Sequence, residues 1–267
     1  MRRINWGWAQ VPPASTQTLP REITFNALTR TLEQSPIAEL TALRSGPPAI
    51  DMGPTILAPG LTLPIPKGVL HASEVLVEFT LPAPGTTSGT IYFGVSVGTQ
   101  AATFPAHERF PSTPSEAQVP YEDPSRQVAD GVVPSDDRAY GLSPVTPPNS
   151  PAVACLFQWT PPSASADDRP YYEVPVACGK FADSLRVLKN ATTVSLRLYY
   201  DATFLEAYFE NGRVAITAPV DLMSDEPQLA LTSTAPSLMV KKTQVYKMKS
   251  IWTTPEAVRQ APRVYDL

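Results

Sequence analysis

Residues 193–217 limit what this chain can fold into more than any other stretch. Val194, Leu196 and Leu198 alternate with Ser195, Arg197 and Tyr199, and Leu205, Ala207 and Phe209 alternate with Glu206 and Tyr208. A period of two marks a strand with one buried face. Asn211-Gly212 follows, the dipeptide that accepts the positive φ angles of a type I′ turn, and residues 214–217 resume the strand pattern. Three antiparallel strands in a meander are expected.

The same alternation recurs elsewhere. Val75, Val77 and Phe79 alternate with polar neighbours over 73–79, and residues 90–97, beyond the polar turn at 84–89, are expected to complete a hairpin with them. Residues 245–252 set Tyr246, Met248 and Trp252 on one face and Lys247 and Lys249 on the other, as suits a sheet exposed on one side. Proline restricts the alternatives: there are 31 prolines against 13 glycines in 267 residues, and proline is excluded from helix interiors and central strands. Many short elements joined by stiff loops follow.

One short helix is predicted over 36–44. Ser35 is its N-cap, Pro36 sits in the first turn, Ile37, Leu40 and Leu43 recur at helical spacing, and Gly46-Pro47-Pro48 ends it. Ahead of it, extended stretches at 4–11 and 21–26 flank a proline-bearing loop at 12–17, forming a small β unit with no core of its own. Residues 99–151 are rich in Pro, Ser, Asp and Glu and read as a long, partly disordered surface insertion. The expected fold class is all-β, an antiparallel β-sandwich of two sheets with one helix outside them.

Composition excludes several partners. Hydrophobic residues at 43% can bury a sizeable core, while 17% charged residues and a net charge of −4 give no basic footprint for nucleic acid or an anionic membrane. No apolar run approaches the roughly 18–20 residues that span a bilayer. Residues 1–6 lack the apolar core of a signal peptide, so the compartment stays open. His71 and His107 are the only histidines, and no HExxH motif or Cys/His cluster exists, so neither a metal nor a cofactor is expected. Cys155 and Cys178 lie in apolar, strand-like runs, as two buried thiols or as a disulfide between neighbouring strands.

Residues 200–213, Tyr200-Asp201-Ala202-Thr203-Phe204-Leu205-Glu206-Ala207-Tyr208-Phe209-Glu210-Asn211-Gly212-Arg213, resemble a segment of glycoside hydrolase family 32, the invertase and fructanase family. In that segment an aspartate, a small residue and an apolar-Glu pair precede an aromatic and Asn-Gly. Arg2-Arg3-Ile4-Asn5-Trp6-Gly7-Trp8-Ala9, Leu19-Pro20-Arg21-Glu22-Ile23 and residues 35–44 look like the end of the family's catalytic propeller and its linker helix. The likeness spans most of 1–98 and 185–252, and residues 99–151 have no counterpart in it.

The resemblance implies a division of the chain. Residues 1–34 would be a remnant of the last propeller blade, 35–48 the linker helix, 49–255 a concanavalin-like β-sandwich carrying the insertion at 99–151, and 256–267 a C-terminal tail. It also implies a partner, the five-bladed propeller catalytic domain, and a secreted or vacuolar parent enzyme that hydrolyses sucrose or fructans. Family members place the nucleophile in Asn-Asp-Pro, a transition-state stabiliser in Arg-Asp-Pro and the acid/base in Glu-Cys. None of these strings occurs in the 267 residues. The chain is therefore expected to be structural and inactive alone, or else a non-catalytic carbohydrate-binding module or a subunit that docks a separate propeller.

Asp201, Glu206, Asn211 and Gly212 then form a structural motif. Retaining hydrolysis needs two carboxyl groups about 5 Å apart with their pKa values pushed apart, whereas Asp201 and Glu206 flank a turn. Trp159, Tyr171 and Tyr172 are candidate carbohydrate contacts, because an aromatic face matches a sugar ring. Trp6, Trp8, Trp159 and Trp252 serve core or interface packing equally well. Asn190-Ala191-Thr192 is a glycosylation sequon. Asp123, Asp136, Asp137, Asp167 and Asp168 read as solvated loop charges. Residues 1–34 discriminate best: buried against the sandwich they make the chain self-contained, and with Trp6, Trp8 and Phe25 exposed they call for a partner.

Overall fold

The computed structural model of the protein describes residues 2–11, 14–57, 60–81, 93–98, 139–145, 153–159, 174–180, 192–201, 204–220, 227–233, 237–251 and 254–260. The N-terminal part holds β1 (Ile4–Asn5), β2 (Trp8–Val11), β3 (Ala14–Gln17), β4 (Arg21–Asn26) and β5 (Thr31–Pro36), then a 3-10 helix (Ala38–Leu43). Next come β6 (Ile50–Met52), β7 (Thr55–Leu57), β8 (Gly60–Thr62), β9 (Ala72–Thr80), β10 (Phe93–Gly98), β11 (Ala139–Val145), β12 (Val153–Trp159) and β13 (Val174–Lys180). The chain continues with β14 (Thr193–Asp201), β15 (Phe204–Phe209), β16 (Val214–Pro219), β17 (Gln228–Ser233), β18 (Leu238–Lys247) and the short helix α1 (Pro255–Gln260).

Two antiparallel sheets make the sandwich expected for an all-β chain. One runs β16-β15-β14-β9-β18-β6, with β7 pairing β18 further along, and the other runs β13-β12-β11-β10-β17-β8. Alternation decides what lies between them. Val75, Val77 and Phe79 of β9, Val194, Leu196 and Leu198 of β14 and Leu205, Ala207 and Phe209 of β15 enter one core with Val95, Val97, Leu229 and Leu231 of the facing sheet. Phe79 meets Phe93 edge to face, with ring centroids 5.2 Å apart, the geometry that the ring quadrupoles favour.

The meander β14-β15-β16 forms as expected, but several other elements differ. Of the hairpin expected between 73–79 and 90–97, residues 90–92 lie outside the described residues and the rest does not pair with β9: β14 and β18 occupy both edges of β9, while β10 lies in the other sheet between β11 and β17. Alternation identifies a buried face without naming the neighbouring strand. Residues 139–145, placed in the insertion, form β11 and join β10 to β12. Residues 14–17 are strand β3, paired with β2, not loop.

The helix is shorter and tighter than predicted. Residues 31–36 form strand β5, paired antiparallel with β4, and the Ser35 hydroxyl donates to the Asn211 carbonyl at 2.7 Å instead of capping. The helix begins after Ile37, without a side-chain cap, and its bonds span three residues, as in Leu40 N–H to the Ile37 carbonyl at 3.2 Å. In β18 it is Val245 that enters the core. Tyr246 lies under Arg44 and Met248 packs by Leu40, both on the opposite face, while Trp252 falls outside the described residues. Apolar residues occupy both faces of β18 because the outer face is itself covered.

Phe79 is 1% exposed at the contact between the sheets. Phe79→Ala is expected to cost about 3–5 kcal/mol by removing transfer energy and leaving a cavity. Urea denaturation of the variant, compared at constant slope, checks this.

Candidate functional site

The outer face of the first sheet is where the N-terminal strands sit. With Leu205, Ala207 and Phe209 turned inward, Glu206 and Tyr208 must point outward, and each is nevertheless only 1% exposed. Residues 19–21 cover them. The Glu206 carboxylate accepts the Leu19 backbone N–H at 2.5 Å, Arg21 Nη2 at 2.5 Å and the Tyr208 hydroxyl at 2.7 Å. Arg21 Nε donates to the Tyr208 oxygen at 3.1 Å, and Nη2 also reaches the Thr217 hydroxyl. A carboxylate taken out of water is tolerated only with such partners. Burial pulls the Arg21 guanidinium down, but Tyr208 and Glu206 hold it above its ordinary value. Burial, then the Glu206 charge, pushes the Tyr208 phenol up.

A second buried carboxylate lies at Glu74 of β9, which has no exposed surface. Arg44 Nε, just beyond the 3-10 helix, donates to one oxygen at 2.6 Å; Arg197 Nε at 2.6 Å and the Tyr199 hydroxyl at 3.0 Å donate to the other. The Arg44 guanidinium also lies 3.9 Å above the Tyr246 ring, a cation–π contact. Burial raises the Glu74 pKa, yet the bond from Arg44 and the charges of Arg197 and Arg44 outweigh it and leave the carboxyl below its ordinary value.

Between these anchors, Leu40, Tyr199 and Tyr208 form a small apolar cluster with Leu19, Ile37, Leu43, Ala215 and Met248 against it.

The β15–β16 turn supplies the third anchor. Phe209 pairs with Val214, so the loop has four residues, and the left-handed run begins at Glu210 rather than at Asn211: φ is 47° at Glu210, 56° at Asn211 and 84° at Gly212. A non-glycine left-handed residue costs roughly 1–2 kcal/mol. At Glu210 this is offset locally, because its N–H donates to the Ser195 carbonyl at 3.0 Å and its carboxylate accepts the Ser195 N–H at 2.6 Å. Asn211 Nδ2 donates to Glu33 Oε2 at 2.9 Å, and the Gly212 carbonyl accepts the Gln34 N–H at 2.9 Å. A Cβ on Gly212 would stand 2.4 Å from the Gln34 carbonyl oxygen. Glycine is thus required twice, by its φ and by the approach of β5.

Of the residues singled out from the sequence, Glu206, Asn211 and Gly212 meet the N-terminal segment at this seam. Asp201 does not join them: it is exposed, opposite Phe204, while Glu206 is opposite Tyr199. Tyr171, Tyr172 and Asn190 lie outside the described residues, and Trp159 is placed only as the last residue of β12. Cys155 of β12 stands directly opposite Cys178 of β13 in the strand register. The sequence did not point to Glu74, Arg44, Arg197 or Glu33. Arg21 falls in a stretch predicted as strand, and nothing local to it marks a role. A polar residue at a strand position marks an outward side chain, and only the covering segment makes it buried.

This arrangement binds segments together. The Glu206 and Glu74 carboxylates are engaged by arginines and nearly or fully removed from solvent, whereas a retaining pair needs access to a sugar. Among the described residues, no group of three or more His, Cys, Asp or Glu is placed to hold a metal ion. Beside the seam, an open groove of about 320 Å³ on the same face is lined by Pro36, Glu78, Arg197, Asn211, Lys242 and Gln244, among others.

Comparison with known proteins gives a likeness of fold. No protein-family model matches the chain, and no curated protein does. Among solved structures, a fructan 1-exohydrolase IIa from Cichorium intybus superposes with a TM-score of 0.58 at 14% identity over 93% of this chain and 45% of its own. A fructofuranosidase from Schwanniomyces occidentalis gives 0.53 at 13% over 92% and 45%, and a fructosyltransferase from A. japonicus 0.53 at 13% over 93% and 40%. The chain therefore spans less than half the length of each. The shared architecture is the one implied by the resemblance of residues 200–213 to family 32.

Two outcomes are expected from the anchors. Glu206→Gln leaves Arg21 without its buried counter-charge and should cost about 3–5 kcal/mol; adding Arg21→Met should restore part of this, giving a coupling of about 1–3 kcal/mol in a double-mutant cycle. For Glu74, the native pKa lies below the ordinary 4.5, so its stabilisation is fully present above that pH and is lost as pH falls through the native value. Denaturant midpoints measured from about pH 7 to about pH 3 should fall less steeply in Glu74→Gln than in the parent.

Proposed function

We propose that this chain is the structural β-sandwich portion of a family 32 type glycosidase, with residues 1–34 as the closing piece of the last blade of a catalytic propeller. On this reading the fructosyl chemistry belongs to the propeller, and the sandwich holds the blade strands in place. The observation that carries it is a contrast within residues 2–36. One side is fastened to the sandwich through Arg21, Gln34 and Ser35. Elsewhere Trp6, Trp8, Phe25, Leu28 and Leu32 are 54–74% exposed, and Phe25 pairs with Leu32 across the strands. Several large apolar side chains left exposed within one short segment favour an interaction surface, and a propeller blade next in order would cover them. The absence of Asn-Asp-Pro, Arg-Asp-Pro and Glu-Cys from the sequence supports inactivity of the chain alone.

A second reading, glycan binding without catalysis, draws on the groove lined in part by Glu78, Arg197, Lys242 and Gln244, since a few convergent polar groups in a concavity suit a ligand. One experiment separates the two. The chain is mixed with a separately produced propeller of the family 32 type that lacks the closing strands of its last blade and run on size exclusion, and is assayed alone on sucrose, inulin and levan. The expected outcome is a complex that is lost in Trp8→Ser/Phe25→Ser/Leu32→Ser, and no turnover by the chain alone. Heat on titrating the isolated chain with oligofructosides, without complex formation, favours the second reading. Turnover that vanishes on a single carboxylate change overturns the first.

A further inference from the structure

Among the described residues β13 is the edge strand of the second sheet, hydrogen-bonded to β12 alone in the strand order. Its register on β12 is regular from Val153 opposite Lys180 to Leu156 opposite Ala177, and then shifts at a bulge between Leu156 and Phe157. Within the regular stretch, Cys155 faces Cys178, and these are the only 2 cysteines in the sequence. Directly opposed residues on antiparallel strands have Cα atoms about 4.5–5.5 Å apart, inside the roughly 4.4–6.8 Å range that a disulfide spans. A chance placement of two cysteines would seldom put both at one rung of one ladder.

We infer that Cys155 and Cys178 form a cross-strand disulfide that staples the edge strand β13 to the sheet. In forming it, each thiol loses its proton and the pair gives up two electrons to a small-molecule or protein disulfide. That acceptor is reduced to two thiols by exchange through a mixed disulfide. The bond fixes the β12–β13 register on the near side of the bulge, where a slip of one residue would turn every following side chain to the other face. It also constrains a strand at the end of the sheet, where one row of backbone groups has no neighbouring strand among the described residues. A stable bridge of this kind places the working protein in an oxidising compartment.

The test uses the full chain. The protein is equilibrated with excess oxidised glutathione, denatured in the presence of iodoacetamide and weighed by mass spectrometry, beside a sample reduced beforehand. The expected result is a mass two hydrogens below the reduced chain with no alkyl groups added, and a single linked peptide pair carrying residues 155 and 178 after proteolysis. Cys155→Ser treated alike should carry one glutathionyl group or, where Cys178 has not exchanged, one alkyl group there. Reduction of the parent should speed protease cleavage between residues 156 and 177. Two alkylated thiols after oxidation, or a link found only between two chains, overturns the bridge. Equal cleavage rates for the oxidised and reduced forms overturn its role as a staple.

Discussion

The N-terminal segment, residues 2–36, is held in place by a carboxylate that would otherwise have no reason to be out of water. Glu206 is carried outward by the alternation that sends Leu205 and Ala207 into the core, and on a bare sheet it would be solvated. Arg21 and the Leu19 N–H close over it, so the interaction is favourable only if β4 lies where it does. Charge burial of this kind is a weak source of net stability and a strong source of position. Exposed pairs such as Arg2 with Glu22 do not decide the geometry in this way, because solvent screens them and the side chains are free to leave.

Seen from the sheet, the seam is a set of interactions that each require the others. Gln34 can donate to the Gly212 carbonyl only because residue 212 has no side chain, and Asn211 can reach Glu33 only because the turn runs left-handed through three residues. Glu74 brings Arg44 from the end of the 3-10 helix and Arg197 from β14 to one point. The apolar cluster around Leu40 and Tyr208 lies between these polar anchors and keeps water from competing with them. A segment with no core of its own is thereby given one by the outer face of its neighbour. This is also why that face carries tyrosines and glutamates in place of lysines near β15.

Much of the sandwich was legible from residue alternation, because burial of one strand face imposes a period of two regardless of where the strand goes. Val194, Leu196, Leu198, Leu205, Ala207 and Phe209 all occupy the core. Pairing was not legible in the same way. β9 and β10 are successive described strands and yet lie in different sheets, and nothing in either sequence distinguishes a hairpin from a crossing between layers. Tyr246 and Met248 misled for a related reason: a strand covered on both faces has two apolar sides, and the larger side chains are not always the inner ones. Ser35-Pro36 resembled a helix start, but the serine hydroxyl was needed at Asn211, and a proline closing a strand forgoes no ladder bond.

For the site, the sequence identified the turn but not what the turn receives. Asn211-Gly212 is recognisable because its backbone preference is local. The demand that β5 places on Gly212 comes from a residue more than a hundred positions away in the chain, and no window of sequence contains both. The same separation hides Arg21 behind Glu206 and Arg44 behind Glu74. An alternating strand predicts that its outward glutamate meets water, unless another segment carries a cation of matching reach and arrives with its own fixed backbone. A local period therefore describes a sheet well, whereas a junction between a sheet and a separate segment becomes visible only when both are folded.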